Sequence, residues 1–309
     1  MKNIITQYNI KYFIIITLFV NSVKINAQTP SDHLMMQKGL LCNVISYSNN
    51  SWTNYWEGTT KRSNTNLGTV TTQNVMYMGA LGITNKLNVI AGLPYVWTRS
   101  TKSYLAGQSG IQDLSLWVKY QFLNKKGFNA FATLGGTLPM SHYVPDFMPF
   151  SIGTQSKSAS GRVIMNYSAK NGLYFTAQGG ITLRSNVKID RNSFLFNNKL
   201  YDTNEMPVPN IGDGSVSIGF LNKKCQTALS IERFACLTGD NIRYNDAPLL
   251  SNKMSATSVA WFGKYNIKQF AITANIGKVI KGQNVGESTN ITLGALYYFQ
   301  VFKKHDATK

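Results

Sequence analysis

The sequence predicts an all-β fold: a membrane-spanning, antiparallel, up-and-down β-barrel of about twelve strands. Three observations predict it. Most of the chain alternates apolar and polar residues over segments of about ten to fourteen residues, near the length with which a tilted strand crosses a bilayer. Short and long turns follow one another in strict alternation. The last segment, 288–302, has one continuously apolar face and one small or polar face, as a strand between lipid and a wet lumen requires.

The chain begins with features of a secretory signal. Lys2 and Lys11 supply positive charge, Tyr12–Val20 forms a short apolar core, and cleavage is expected after Ala27. The apolar core is too short to span a bilayer as a helix. Residues 1–27 are therefore predicted to be a signal peptide that exports the protein, and the expected location is the bacterial outer membrane.

The expected organisation after the signal has three parts. Residues 28–38 form a short periplasmic N-terminal segment, residues 39–302 form the outer-membrane barrel, and residues 303–309 form a periplasmic C-terminal tail. The sequence leaves open whether residues 28–38 lie free or enter the lumen and plug it.

Individual strands are predicted by period-two alternation. Ile111–Phe122 is the clearest, because Leu114, Leu116 and Val118 alternate with polar or charged residues. Segments 87–97, 173–183 and 226–234 repeat the pattern. Phe302 ends the last strand, whose expected partner begins near Leu40. An even strand number places both ends of the barrel on one side of the membrane.

The turns divide into two populations by length. Short ones are expected at 84–86, 124–127, 169–172, 222–224 and 265–268, and longer polar connections at 57–69, 100–110, 140–156, 190–210, 239–252 and 280–287. Short turns at one end of a barrel and long loops at the other are typical of outer-membrane barrels.

A soluble β-sandwich is the alternative fold. Its strands average five or six residues, shorter than these. Aromatic residues also gather near both strand ends, as expected for belts at two membrane interfaces. The belt toward the long loops would contain Trp52, Tyr55, Trp56, Tyr95 and Trp97, and the belt toward the short turns Tyr120, Phe122, Phe220, Phe262, Phe270 and Tyr298.

The chain is strongly basic, with 31 Lys and Arg against 13 Asp and Glu. Many of the cations fall at predicted turns, where they could meet anionic lipid headgroups, rather than in the clustered patch that nucleic-acid binding requires. No nucleic-acid partner is expected. Three cysteines and three scattered histidines show no metal-ligand spacing, so no metal and no cofactor are predicted. Cys225 and Cys236 are too far apart on one strand to form a disulfide.

Several phrases resemble one known family. Gly110–Tyr120 (GIQDLSLWVKY) is similar to the G-x-x-D-L-x-L-x-x-K-Y strand of the outer-membrane proteins named for the meta-pathway of phenol degradation. Leu81–Leu87 followed by Gly92–Tyr95 resembles the G-L-T-x-x-L and G-L-P-Y hairpin of that family. The resemblance implies an outer-membrane barrel of transporter type, with uptake of hydrophobic or aromatic compounds assumed in some members.

Successive side chains of a strand point to opposite faces, and we assign the face with the charged residues named below to the barrel interior. An unpaired charge on the lipid face would cost a few kcal/mol near the midplane. These charges can brace the wall or line a solute path. The candidate lumen-lining residues are Asp113, Trp117, Lys119, Phe131, Arg162, Arg184 and Glu232. Among the charged ones cations outnumber carboxylates, so a pore is expected to prefer anionic or neutral solutes.

Catalysis has little support in the sequence. Ser141 and His142 are adjacent in a proline-rich loop, and neighbouring residues of an extended chain point to opposite sides. Asp146 near His142 is an equally weak match to a barrel protease. No catalytic residues are predicted, and the protein is not expected to be an enzyme.

The expected function is a channel or transporter for small solutes, hydrophobic, aromatic or anionic. A non-transporting structural or surface-binding barrel is the alternative, and an outer-membrane hydrolase is a distant third. The expected partners are outer-membrane lipids, a small-molecule solute and the barrel-assembly machinery. The sequence does not indicate an oligomeric state.

Overall fold

The computed structural model describes residues 29–242 and 248–302, and most of these residues belong to one antiparallel sheet. The signal peptide expected at 1–27 and the tail expected at 303–309 lie outside the described residues. Within the described residues, no helix is long and apolar enough to cross a membrane.

Twelve long strands form the sheet. They are β1 (Leu40–Trp52), β2 (Val70–Gly82), β3 (Leu87–Ser100), β4 (Asp113–Lys125), β5 (Phe128–Pro139), β6 (Ser158–Ser168), β7 (Leu173–Arg184), β8 (Ile211–Leu221), β9 (Cys225–Cys236), β10 (Ser255–Ile267), β11 (Phe270–Gln283) and β12 (Thr289–Gln300). Each pairs with its neighbours in sequence, and β1 pairs with β12 from Leu40–Gln300 to Ser51–Thr289. The sheet is thus a closed up-and-down barrel, which confirms the predicted fold and strand number.

The connections confirm the alternation of short turns and long loops. At one end, which we call the short-turn end, the strands are joined by two to four residues. The β4–β5 turn consists of Lys126 (φ 49°) and Gly127 (φ 88°), the paired left-handed residues that suit the twist of a two-residue hairpin. The long-loop end carries the other connections and short hairpins such as Asn54–Glu57 with Thr60–Ser63.

The outer face of the barrel is apolar. In β4, Leu116, Val118 and Tyr120 are exposed, whereas Lys119 between them is buried on the other face. The same alternation holds in β12, where Ile291 and Leu293 are exposed. A closed barrel with an apolar band outside and polar residues inside satisfies every backbone group of its strands without water, as a membrane requires.

The aromatic belts differ in part from the expectation. Phe262 and Tyr298 point into the barrel, because they share a face with the inward-facing Ala228 and Cys42. Trp52 packs against Gly286 in a loop, and Trp56 packs against Gly282 near the end of β11. Position along the sequence alone did not place these side chains on the correct face.

The inside of the short-turn end is filled with side chains. Residues 29–38, the N-terminal segment, turn into the barrel, and Met36 joins an apolar cluster on the inner wall. The other members of this cluster are Leu40, Cys42, Val44, Met78, Ala80, Ile90, Ala271, Leu296 and Tyr298. The chain crosses close over β2, where a Cβ on Gly82 would lie 2.1 Å from the Gln37 carbonyl oxygen. Only glycine allows that approach.

Candidate functional site

All seven sequence-predicted residues lie on the inner face. Strand register shows this, because residues paired across neighbouring antiparallel strands point to the same side. Lys119 pairs with Thr133, Thr133 with Arg162, and Trp117 with Gly135. A series of such cross-strand pairs that includes Gln178 connects Phe131 with Glu232. The pairs on their own strands place Asp113 and Arg184 on the same inner face. Their role on a solute path remains a proposal.

Lys119 is bound by the N-terminal segment rather than by the barrel. Its ammonium donates to the Asp32 carboxylate (Nζ–Oδ1 2.8 Å) and to the backbone carbonyls of Asp32 (2.5 Å) and Thr29 (3.3 Å). The side chain has no exposed surface, and its ammonium lies 5.2 Å from the centre of the Phe131 ring. The Phe131 side chain is itself buried beneath this contact.

The Asp32 turn is held in place by its own backbone. Its carboxylate accepts hydrogen bonds from the Leu34 amide (2.9 Å) and from the Thr29 amide. About a fifth of the Asp32 side chain remains exposed. The turn therefore presents one carboxylate and two carbonyl oxygens together, a set of acceptors that suits an ammonium group.

His33 fixes the segment to strand β7 of the barrel wall. Its ring lies 4.4 Å from the Tyr174 ring, and its Nδ1 is 3.4 Å from the Thr176 hydroxyl. Burial lowers the pKa of His33 to about 4; Asp32 opposes this shift, and Lys119 and Lys264 add to it. The imidazole is therefore neutral at pH 7.

The binding of the N-terminal segment inside the barrel should weaken at acid pH. Between pH 6.5 and 4, His33 binds a proton when the segment is released but not when the segment is bound inside the barrel. A lower pH therefore favours release. If the barrel conducts, open probability should rise as the pH falls through this window, and His33→Asn should flatten that rise. Bilayer recordings at several pH values measure it; an unchanged pH dependence in His33→Asn would contradict the assignment.

Lys264 is a second buried inner lysine, which sequence reasoning missed. It pairs with Gln226 on β9, and only 4% of its surface is exposed. It interacts electrostatically with Asp32, yet its Nζ has no hydrogen-bond partner among the residues that the structure describes. The sequence predicts a turn at 265–268, directly after Lys264, and this obscured the position of Lys264 within a strand. In the structure β10 continues to Ile267.

Arg162, by contrast, finds its hydrogen-bond partners on the barrel wall itself. Its guanidinium donates to Asp213 (Nη2–Oδ2 2.5 Å) and to Gln178 (Nη1–Oε1 3.0 Å), and Gln178 donates in turn to Ser215 (2.8 Å). Pairing of charges across strands is the arrangement of a wall brace. Glu232 lies beside this network; it is exposed and accepts a hydrogen bond from Ser230 (2.9 Å).

The long-loop end is partly covered by loop 140–157. The Tyr143 hydroxyl donates to Asp113 (2.7 Å), and Tyr143 packs with Ile152 against Val96. Burial and the bond to Asp113 raise the pKa of Tyr143, so the phenol stays protonated and remains a donor. Arg184 interacts electrostatically with Asp113.

A separate apolar cluster joins the neighbouring long loops. It contains Val187, Ile189, Phe194, Met206, Val208 and Leu250, with Met148, Phe196 and Leu249 against it.

Between the N-terminal segment and the loops, the inner wall keeps accessible surface. Partly exposed inner residues in this zone are small or polar: Ser217, Ser230, Ser258, Asn275, Gly277 and Asn290. Trp117, also partly exposed, lies over Gly135. In a closed barrel, such exposure means that space remains inside.

Other chemistry has little geometric support. Ser141 donates its hydroxyl hydrogen bond to the Ile111 carbonyl oxygen, not to His142. Within residues 29–242 and 248–302, no group of three His, Cys, Asp or Glu side chains is placed to hold a metal ion. Cys42, Cys225 and Cys236 are free cysteines.

The fold is shared with a solved outer-membrane protein. An outer membrane channel from Pseudomonas putida F1 superposes with a TM-score of 0.72 and 13% identity, over 88% of this chain and 100% of that chain. Weaker likenesses include the transport unit of the autotransporter AIDA-I from Escherichia coli (0.48, 8%, 85% and 91%). The NanC porin is another (0.47, 8%, 82% and 98%). At these identities the likeness concerns the fold alone. No curated protein matches the chain.

A family model matches a large part of the sequence. It is described as "Putative MetA-pathway of phenol degradation", and the match runs from residue 45 in β1 to residue 198 in the loop after β7. It includes the β2–β4 phrases that resemble this family in the sequence. The resemblance is confirmed, and over residues 45–198 the chain belongs to this family.

Proposed function

We propose that the protein is an outer-membrane channel for small solutes, whose short-turn end faces the periplasm. One observation carries the proposal: the closed barrel has an apolar outside and, between the N-terminal segment and the loops, an inner wall with accessible polar surface. A structural barrel needs only a filled core. The signal features of residues 1–27 support export, with outer-membrane lipids and assembly machinery as partners.

Relatives support the same function. The protein from Pseudomonas putida F1 that shares this fold is an outer membrane channel. A channel acts by shape and electrostatics and needs no catalytic group. We therefore propose a non-enzymatic role.

Liposome swelling with the purified, refolded barrel tests the proposal. We expect permeation by small neutral and anionic solutes, and a larger rate when residues 29–35 are deleted, because this deletion clears the short-turn end. Heat-modifiable migration in SDS gels would confirm that both proteins are folded. If neither protein passes any solute, the non-transporting structural reading replaces the channel.

The charge balance of the lumen differs from the sequence-based estimate. Lys119 and Arg162, two of the three cations that predict anion preference, are paired with Asp32 and Asp213. The Glu232 carboxylate is exposed and has no cationic partner within salt-bridge distance among the described residues. Glu232 is therefore proposed as the main charge that mobile ions meet.

Neutralising Glu232 should favour anions. Under a salt gradient, Glu232→Gln is expected to shift the reversal potential several millivolts toward the anion equilibrium potential, because one fixed negative charge leaves the lumen. Glu205→Gln is the matched control, since Glu205 is an exposed carboxylate in a long loop. Equal shifts in the two variants would remove Glu232 from the ion path.

A further inference from the structure

Lys119 and Lys264 differ from the other inner cations in what satisfies them. Arg162 is paired by wall residues. Among residues 29–242 and 248–302, the three hydrogen bonds of Lys119 go to the N-terminal segment, and Lys264 Nζ makes none. A buried charge without a wall partner is costly, and an isolated lysine is a poor way to stabilise a barrel. The two lysines therefore fit a site for something held in the lumen.

Within the part of the chain that the structure describes, Asp32 is the one carboxylate that serves both lysines. Asp32 bonds Lys119 directly and interacts with Lys264 electrostatically. Next to each lysine on the wall lies a buried polar atom that has no hydrogen-bond partner in the described parts of the chain. These atoms are the Thr133 hydroxyl beside Lys119 and the Gln226 side-chain amide oxygen beside Lys264. Two cations and two unused polar groups around one carboxylate leave the site incompletely satisfied.

We propose that Lys119 and Lys264 form a binding site for the carboxylate of a transported solute, and that Asp32 occupies this site as an internal substitute. The proposal rests on the channel function and adds the substrate class and its means of control. A solute with carboxylate groups would enter from the lumen, reach the partly exposed Asp32, replace it at the lysines and release the N-terminal segment.

The segment is an intramolecular competitor. A tethered group has an effective concentration of the order of millimolar, so solutes at lower concentration leave the segment in place. A dicarboxylate suits the site better than a monocarboxylate, because two carboxylates can neutralise two lysines. Charge-assisted hydrogen bonds from both ammonium groups would select carboxylates over isosteric amides.

Equilibrium dialysis with labelled succinate tests the site directly and does not depend on conduction. The detergent-solubilised full chain should bind succinate weakly, and Asp32→Asn should bind it at least tenfold more tightly because the competitor has lost its charge. Succinamide should not bind to either protein. Binding of sulfate with the same affinity, at equal ionic strength, would overturn the assignment to carboxylates.

A matched pair of lysine variants separates this site from general charge effects. In the Asp32→Asn background, Lys264→Met should weaken succinate binding at least tenfold, whereas Lys278→Met should not change it. Lys278 is an exposed lysine of the neighbouring strand β11 and faces outward. Equal binding in both variants would overturn the proposal.

Conductance measurements distinguish an error in the proposed carboxylate site from an error in the proposed channel function. If the chain conducts but succinate neither binds nor raises its open probability, the carboxylate site is wrong and the channel stands. If succinate binds as described and no variant conducts, including the one lacking residues 29–35, the channel function is wrong and the site stands.

Discussion

Asp32→Ala is expected to release the N-terminal segment and open the short-turn end of the barrel. The change leaves the Lys119 ammonium without exposed surface and without its carboxylate. Loss of one partner from a buried pair costs about 3–5 kcal/mol, and we reduce this to about 2–3 kcal/mol because Asp32 is partly exposed. Release of the segment lets water reach Lys119, so the equilibrium should shift roughly 30- to 150-fold toward the released state.

Two measurements check this result. Single-channel recordings should show a longer-lived open state. Hydrogen exchange of residues 29–38 should become faster, because the Leu34 amide loses its carboxylate acceptor and the segment its anchor. The exchange measurement does not require that the barrel conduct.

The double variant Asp32→Ala/Lys119→Met provides the internal control. Removing the buried charge removes the reason for release, so exchange of the segment should return part of the way to the wild-type rate. Asp202→Ala, a change to an exposed loop carboxylate, should have no effect. If the double variant exchanges as fast as Asp32→Ala alone, the pair does not hold the segment by charge.

The alternation of inward and outward side chains along each strand made the barrel predictable from the sequence. The alternation that places Leu116 outside and Lys119 inside depends only on the period of a strand. It holds wherever lipid and lumen differ in polarity. Closure follows from the same pattern, since the apolar face of β12 continues that of β1. Local chemistry and an even number of strands were therefore sufficient for the architecture.

The contents of the lumen could not be predicted in that way. The bond between Lys119 and Asp32 joins residues 87 positions apart, and no periodicity links them. One signal was available: an inward lysine in the middle of a strand, with the first acidic residue of the chain, Asp32, in the polar segment before the barrel. Loop 140–157 is a similar case, because the Tyr143–Asp113 bond depends on how a long loop folds.

Inner aromatic residues also depend on register, and this leads to a second large effect. A Cβ on Gly135 would lie 2.4 Å from the Leu116 carbonyl oxygen and 2.5 Å from carbons of the Trp117 ring. Gly135→Ala must therefore move the backbone or the indole. Overpacking of this kind costs about 1–3 kcal/mol, and the displaced ring would also narrow the lumen.

We expect Gly135→Ala to lower the temperature at which the folded band converts to the unfolded one in heat-modifiability gels, and to reduce conductance. Gly179→Ala is the matched control. Gly179 lies in a strand too, but a Cβ there would meet only the Asp213 carbonyl oxygen, at 3.7 Å. Because alanine restricts the unfolded chain more than glycine does, this variant should be neutral or slightly more stable.

Trp117→Ala in the Gly135→Ala background distinguishes the two contacts. Removing the indole should restore most of the lost conductance, because the obstruction is the displaced ring. It should restore only part of the lost stability, because the contact with the Leu116 carbonyl oxygen remains. If conductance stays low after the indole is removed, Trp117 does not line the passage, and the narrowing arises from the wall itself.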